Sequence, residues 1–231
     1  LAAYALPAAA AAFAWGRAGA RTRIARARPL GLRRVWRPWS LPAYFGLQAM
    51  SFYCGLAWLP SILQHEGYGE AAAGSLLALT NAVQLAPALL VPVLAARLRD
   101  QRPALAVLVG LAAAGFAGVL VAPGAAVLWM LVLGLGQGGS LGLGLLLPVL
   151  RGAGAAAVAA LAALSLSVGY LVASAGPTIV GLAHDVSGGW TLPLLLMIGI
   201  TLAQLLPGWA AARAWTIGDA DLGRRPEGPA G

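Results

Sequence analysis

The chain has 231 residues, of which 60% are hydrophobic and only 10% are charged. This composition excludes a soluble globular domain and is typical of a polytopic membrane protein. The formal net charge of +8 comes entirely from Arg, since the chain has no Lys. The positions of these Arg, described below, argue against nucleic acid as the partner.

The chain begins with an apolar segment, residues 1–16, and Arg17 follows it. A signal peptide carries its positive charge in front of the apolar region, so we interpret residues 1–16 as the end of a truncated transmembrane helix. This interpretation implies a missing segment upstream. Residues 17–40 then contain eight Arg. A basic cytoplasmic loop explains them better than a segment that binds nucleic acid or anionic lipid.

Six apolar stretches follow, each of a length suited to crossing a bilayer as a helix. They cover residues 41–63, 71–96, 104–121, 126–150, 155–183 and 190–212. Arg occurs only in alternate loops: before the first stretch, after the second, after the fourth and in the tail. The positive-inside rule therefore places the basic loop and the tail, 214–231, in the cytoplasm. We predict an all-α, multi-pass protein of the plasma (inner) membrane, with residues 41–213 as a six-helix unit.

The fourth stretch contains the segment LGLGQGGSLGLG, residues 133–144, in which six of the twelve residues are Gly. In a bilayer such a segment stays helical, because unpaired backbone amides are costly there. Gly134, Gly138 and Gly142 fall on one face, and Gly136, Ser140 and Gly144 fall on an adjacent face. Small residues let neighbouring helices approach closely. The pattern predicts a helix that packs on two sides and lines a passage.

Neutral polar side chains concentrate in the first, second, fourth and fifth stretches, whereas no Asp, Glu, Lys, Arg or His lies in the middle of any stretch. We therefore expect no catalytic residue, metal site or cofactor, and we expect the third and sixth helices to lie mostly outside a polar interior. The predicted substrate-pathway residues are Gln48, Ser51, Asn81, Gln84, Gln137, Ser140, Ser167, Tyr170 and Ser174. The alternative is that these groups only bond between packed helices. The four carboxamides favour a cavity, because a half-satisfied amide is expensive to bury.

Prolines interrupt the same stretches, and each can kink a helix by removing one backbone hydrogen bond. They are Pro60, Pro87, Pro92, Pro148, Pro177 and Pro193. Broken helices border substrate sites in transporters. Transmembrane helices also tolerate Pro without any such role.

Five strings carry a resemblance to a known family: FGLQ (45–48), WLPSILQ (58–64), RLRDQR (97–102), LGLGQGGS (133–140) and SVGYLVASAGPTIVGLAHDVSGGW (167–190). Together with the six-helix pattern, they resemble the C-terminal half of a major facilitator superfamily transporter, within the cyanate/2-nitroimidazole transporter family. The resemblance implies a missing N-terminal six-helix half as partner and a secondary transporter that works by alternating access. It also implies a small solute, either a cyanate-like anion or a nitroaromatic, drug-like compound.

The cytoplasmic gate motif of that superfamily, a Gly followed after three residues by Asp-Arg, is matched here only by Arg97. Asp100 is a substitute partner for either Arg97 or Arg102. These three residues are the predicted cytoplasmic gate.

Two other classes of function stay open at this stage. A membrane-embedded enzyme would have to use His65, Glu66 and Glu70, or His184 and Asp185, in the loops on the opposite side. A non-transporting scaffold subunit would use the glycine faces only for packing. His184 and Asp185 are also candidates for a pH-sensitive outer gate, although we expect Asp185 to cap a turn and His184 to lie among the headgroups.

Overall fold

The computed structural model describes residues 36–218, without the side chain of Trp36. The predicted helix end at 1–16, most of the basic loop at 17–40 and most of the tail at 214–231 lie outside the described residues. Within residues 36–218 the chain is almost entirely helical, as its composition predicts.

The described chain runs through nine α-helices and one short parallel strand pair. The helices are α1 (Trp36–His65), α2 (Glu70–Val83), α3 (Leu85–Ala95), α4 (Arg102–Val121), α5 (Ala126–Arg151), α6 (Ala155–Ala173), α7 (Gly176–Ser187), α8 (Thr191–Ala203) and α9 (Leu205–Ala212). The strands are β1 (Gly152–Ala153) and β2 (Ile217–Gly218), and a 3-10 turn at Pro123–Ala125 joins α4 to α5.

Five helical stretches among the described residues are long and apolar enough to cross a membrane. They are Glu70–Ala95, Arg102–Val121, Pro123–Arg151, Ala155–Ser187 and Thr191–Ala212. The first helix, α1, has 30 residues and is therefore long enough, but it is more polar, with Gln48 and Ser51 near its middle. A multi-pass helical membrane protein is thus confirmed, whereas the sixth crossing remains a prediction.

Three of the predicted spans are broken into two helices, and each break lies four residues before a proline. Proline has no N–H to donate to the carbonyl four residues earlier, so the helix ends at the residue that loses its bond. The pairs are Val83 with Pro87, Ala173 with Pro177 and Ala203 with Pro207. The kink at Pro177 is confirmed, and Pro207 adds a break that was not expected.

The glycine-rich helix α5 packs closely on both sides, as predicted. A Cβ added at Gly134 would lie 2.8 Å from the Thr80 carbonyl oxygen, and Cβ atoms at Gly138 and Gly142 would collide with the same broken span. On the adjacent face, Gly136 lies against the backbone of α4. Ordinary side chains at these positions would force the helices apart. The third span therefore packs directly on α5.

All the described Arg lie at one end of the bundle, which we call the basic end. They are Arg37, Arg97, Arg99, Arg102, Arg151 and Arg213. The strand pair β1–β2 also lies there, because β1 follows Arg151 directly and pairs with the segment after α9. This pairing fixes the chain beyond the last helix against the α5–α6 connection.

The predicted turn at residues 184–189 is shorter than expected. His184 and Asp185 lie within α7, which continues to Ser187. Gly188 then adopts a positive φ of 68°, and its N–H donates to the His184 carbonyl at 2.8 Å. Glycine in this left-handed conformation ends the helix, so Asp185 does not cap a turn.

Candidate functional site

Three of the predicted pathway residues form one buried hydrogen-bond network between α1, α5 and α8. Gln137 Nε2 donates to Ser51 Oγ at 2.8 Å, and Gln48 Nε2 approaches Gln137 Oε1 at 3.4 Å. Ser51 Oγ shares a hydrogen bond of 2.6 Å with Thr201 Oγ1. Positions 48 and 51 lie on the same face of α1 because they are three residues apart. Thr201, on the sixth span, was not among the predicted site residues.

Three buried polar atoms next to this network have no hydrogen-bond partner among residues 36–218. They are Gln48 Oε1, Ser140 Oγ and Gln204 Oε1. Gln204 lies between Thr201, which contacts Ser51, and Gly208, whose Cβ would lie 3.0 Å from the Tyr44 ring. It therefore lies beside α1 near the level of Gln48. Free oxygens of this kind can accept a hydrogen bond from a solute or from water.

A first cleft opens between α1, α2 and α5. Its polar lining consists of Thr80, Asn81, Gln84 and Gln137. Gln84 Nε2 donates to Asn81 Oδ1 at 2.6 Å, so these two carboxamides bond to each other across less than one turn. The apolar lining includes Phe52 and Leu56 of α1.

A second cleft, of about 420 Å³, opens between α1 and α6. It is lined by Tyr53, Leu56, Ala57, Tyr170, Ala173, Ser174 and Pro177. Tyr170 is 47% exposed, and its ring lies 6.4 Å from that of Tyr53 and edge-on to that of Phe45 at 5.5 Å, measured between centroids. Ser174 bonds its own helix, since Oγ donates to the Leu171 carbonyl. The cleft therefore combines aromatic faces with few polar groups.

The two clefts share Leu56 and lie on either side of the same turn of α1. Of the predicted pathway residues, Asn81, Gln84 and Gln137 line the first cleft, and Tyr170 and Ser174 line the second. The others lie elsewhere: Gln48, Ser51 and Ser140 are buried behind the clefts, and Ser167 is exposed on α6, one turn before Tyr170.

Three cleft residues, Phe52, Tyr53 and Leu56, were not predicted, because they are apolar or aromatic residues in a run of similar residues. Their only distinguishing signal was the adjacent Phe-Tyr pair.

In the predicted gate, Asp100 pairs with Arg102 and not with Arg97. The carboxylate accepts from Arg102 Nε at 2.9 and 3.0 Å and lies 2.7 Å from Nη2. These hydrogen bonds lower the pKa of Asp100 below its ordinary value. Arg97 is exposed and makes no ion pair with any described residue.

A different Arg joins the helix ends at the basic end. Arg151 is only 4% exposed, and its guanidinium donates to the carbonyls of Ala211 and Ala212, both at 2.9 Å. Its Nη2 also donates to Gln101 Oε1 at 2.6 Å, and Gln101 in turn donates to the Leu98 carbonyl. A cation is favourable where it meets the last carbonyls of a helix. Arg151 thus ties together the ends of the second, fourth and sixth predicted spans.

The residues considered for an enzyme lie apart from these clefts. The His184 ring stacks on Trp190 with centroids 3.9 Å apart, and Trp190 lies beside Trp58. His65 ends α1, and Glu66 and Glu70 follow it. Among residues 36–218, no three side chains of His, Cys, Asp or Glu come together as metal ligands would.

Comparison with known proteins finds transporters. The chain is 35% identical over 193 residues to the 2-nitroimidazole transporter of Escherichia coli (strain K12), a match that covers 82% of this chain and 49% of the relative. It is 37% identical over 177 residues to the uncharacterized transporter YycB of Bacillus subtilis (strain 168), which covers 76% of this chain and 44% of that protein. It is 34% identical over 214 residues to the cyanate transport protein CynX of Escherichia coli (strain K12), which covers 89% of this chain and 56% of that protein.

The chain therefore spans about half the length of the curated relatives it matches. No family model matches it, and no solved structure matches it. These relatives are named as transporters and not as enzymes, in agreement with the expectation that the chain is not an enzyme.

Proposed function

Because this chain is homologous to the 2-nitroimidazole and cyanate transporters, as its motifs predicted, we propose that it is the C-terminal half of a secondary transporter. In this proposal α1 joins the five apolar stretches as a sixth span, residues 41–213 form the half, and a second six-helix half completes the pathway. The match to about half of each relative supports a missing half.

The proposed pathway runs over the two clefts on either side of the Phe52–Leu56 turn of α1. The observation that carries this placement is the second cleft, where Tyr53 and Tyr170 face a space of about 420 Å³ between two helices. The break at Pro177 borders this cleft. Such breaks allow the two halves of a helix to tilt separately, which suits alternating access.

The clefts favour a small uncharged aromatic solute over an anion. Their described lining residues carry no charge, so they offer aromatic faces and neutral hydrogen-bonding groups. A relative is named for 2-nitroimidazole, a planar compound of this chemical class. A cyanate-like anion would require a cation supplied by residues outside this chain.

We further propose that the basic end and the tail are cytoplasmic and that Arg97, Asp100 and Arg102 belong to the gate there. The alternation of Arg among the loops supports this orientation. The ion pair between Asp100 and Arg102 supports a fixed loop between the second and third spans.

The test is uptake or efflux of radiolabelled 2-nitroimidazole by cells that express the protein with Tyr170→Ala. Loss of the ring opens the second cleft, so KM should rise about fivefold, in keeping with the loss of one aromatic contact of about 1 kcal/mol. Leu171→Ala is the matched control, since Leu171 is the next residue on α6, is 74% exposed and does not line the cleft. Equal effects of the two changes would contradict the proposed pathway.

A further inference from the structure

At the basic end, three Arg and two Trp surround a pocket that is separate from the two clefts and shares only Arg102 with the proposed gate. The pocket has a volume of about 380 Å³ and is lined by Arg37, Arg102, Leu206, Trp209, Ala210, Arg213 and Trp215. Its residues come from the start of α1, the start of α4 and the segment from α9 onwards. These helix ends are far apart in sequence, so the pocket is a product of the fold.

The pocket has an excess of positive charge. Asp100 neutralises Arg102 and holds its guanidinium 5.3 Å from the centroid of the Trp209 ring. Arg37 and Arg213 are exposed, and neither makes an ion pair with a described residue. Two cationic side chains therefore face the same space, which favours a ligand with a phosphate-like anion.

Local contacts hold the aromatic wall in place. Trp215 Nε1 donates to the Ala210 carbonyl at 3.1 Å, and the pairing of β2 with β1 begins two residues later. Trp209 is 49% exposed and Leu206 is 80% exposed, so an apolar surface adjoins the cationic one. An amphipathic wall of this kind suits a ligand with a charged head and a hydrocarbon chain.

We propose that this pocket binds the headgroup of an anionic phospholipid, with Arg37 and Arg213 on the phosphate and Leu206 and Trp209 against the first part of an acyl chain. Trp and Arg at the ends of membrane-crossing helices lie at the depth of the lipid headgroups. Lipid phosphate is therefore the anion available at this depth, and the exposed Leu206 has no role in binding a free anion.

The experiment is native mass spectrometry of the detergent-purified full-length protein mixed with equal amounts of phosphatidylglycerol and phosphatidylcholine that carry the same acyl chains. The wild-type protein should retain phosphatidylglycerol in preference. Arg37→Gln and Arg213→Gln should each lower this retention about fivefold, the effect expected for one basic residue near an anionic surface. Arg99→Gln, an exposed Arg of the same end outside the pocket, should leave it unchanged.

Three outcomes would overturn the proposal. Equal retention of the two lipids by the wild-type protein would show that no headgroup selection exists, and this arm requires no variant. An equal loss of phosphatidylglycerol retention in the Arg99→Gln protein would show that the lipid responds to the overall charge of the basic end and not to the pocket. Displacement of the lipid by millimolar inorganic phosphate would show a site for a free anion.

Discussion

At the scale of single residues, Gln137 connects the buried network to the first cleft. It donates to Ser51, is the acceptor for Gln48 and contributes to the cleft lining beside Asn81. A single buried carboxamide thus bonds α5 to α1, reaches α8 through Ser51 and contributes to the wall of the first cleft. Neutral groups can do this at membrane depth without the cost of burying a charge.

Gln137→Leu should reduce both stability and transport. The change leaves Gln48 Nε2 without its acceptor and removes one of the two bonds to Ser51, and an unsatisfied buried group costs about 1–3 kcal/mol. We expect a lower midpoint in thermal unfolding and a reduced rate of 2-nitroimidazole transport.

Gln64→Leu is the control, since Gln64 is exposed at the end of α1 and bonds to none of these residues. Unaltered uptake kinetics for Gln137→Leu would remove Gln137 from the proposed pathway.

The spacing of residues predicted part of this network. Gln48 and Ser51 share a face of α1 by helical geometry, and the carboxamides on different spans were expected in one polar region. Their bonding to each other could not be predicted, because it depends on which helices touch, a long-range property absent from local spacing. For the same reason Thr201, which shares a hydrogen bond with Ser51, was not predicted.

At the scale of helices, the glycines of α5 allow the neighbouring helices to pack directly against its backbone. Gly138→Ala should destabilise the protein by about 2 kcal/mol or more, since the new Cβ would overlap the backbone around Gln84, which has no flexible end to move aside. The fraction that stays monodisperse after heating, measured by size-exclusion chromatography, reports this loss.

Gly110→Ala is the matched control, because this helical glycine on α4 has no atom within 4 Å of its added Cβ. It should leave the thermal midpoint unchanged or raise it slightly. A Gly138→Ala protein as stable as Gly110→Ala would contradict the close packing of α5 on the broken span.

The break between α6 and α7 is a second property of helices that can be tested. Pro177→Ala restores an N–H that can donate to the Ala173 carbonyl and rejoin the helix. We expect turnover of the solute to fall severalfold while thermal stability does not fall, if separate tilting of the two segments serves transport.

Pro103→Ala is its control, since this exposed proline lies in the first turn of α4, where no backbone bond is missing. Full turnover in a Pro177→Ala protein of normal stability would show that the break has no role in the transport cycle.

The helices themselves were predictable because hydrophobic length and the distribution of Arg are strong signals. The positions at which these helices break could be predicted only in part. Pro177 and Pro207 each end a helix four residues earlier, whereas Pro60 and Pro148 lie inside α1 and α5, which continue. Packing against neighbouring helices determines which prolines stay inside a continuous helix, and the sequence of one helix does not contain that information.

At the scale of the whole molecule, burial is uneven. The central stretch at Pro123–Arg151 is mostly buried, whereas only a small share of Glu70–Ala95 and of Ala155–Ser187 is buried. These two sparsely buried stretches flank the two clefts. If a second half covers them, the clefts become an enclosed pathway; if lipid covers them, the chain is a scaffold whose polar groups serve packing alone.

The most direct test places a cysteine at position 170 in the full-length protein, by Tyr170→Cys in a Cys54→Ala background, and adds a membrane-impermeant maleimide from one side of the membrane at a time. Leu171→Cys is the control for a side chain that faces lipid. The proposed pathway predicts labelling at position 170 from both sides, a shift in the balance between the two sides when 2-nitroimidazole is added, and little labelling at position 171. A dry position 170, unlabelled from either side, would contradict a transport pathway and support the scaffold.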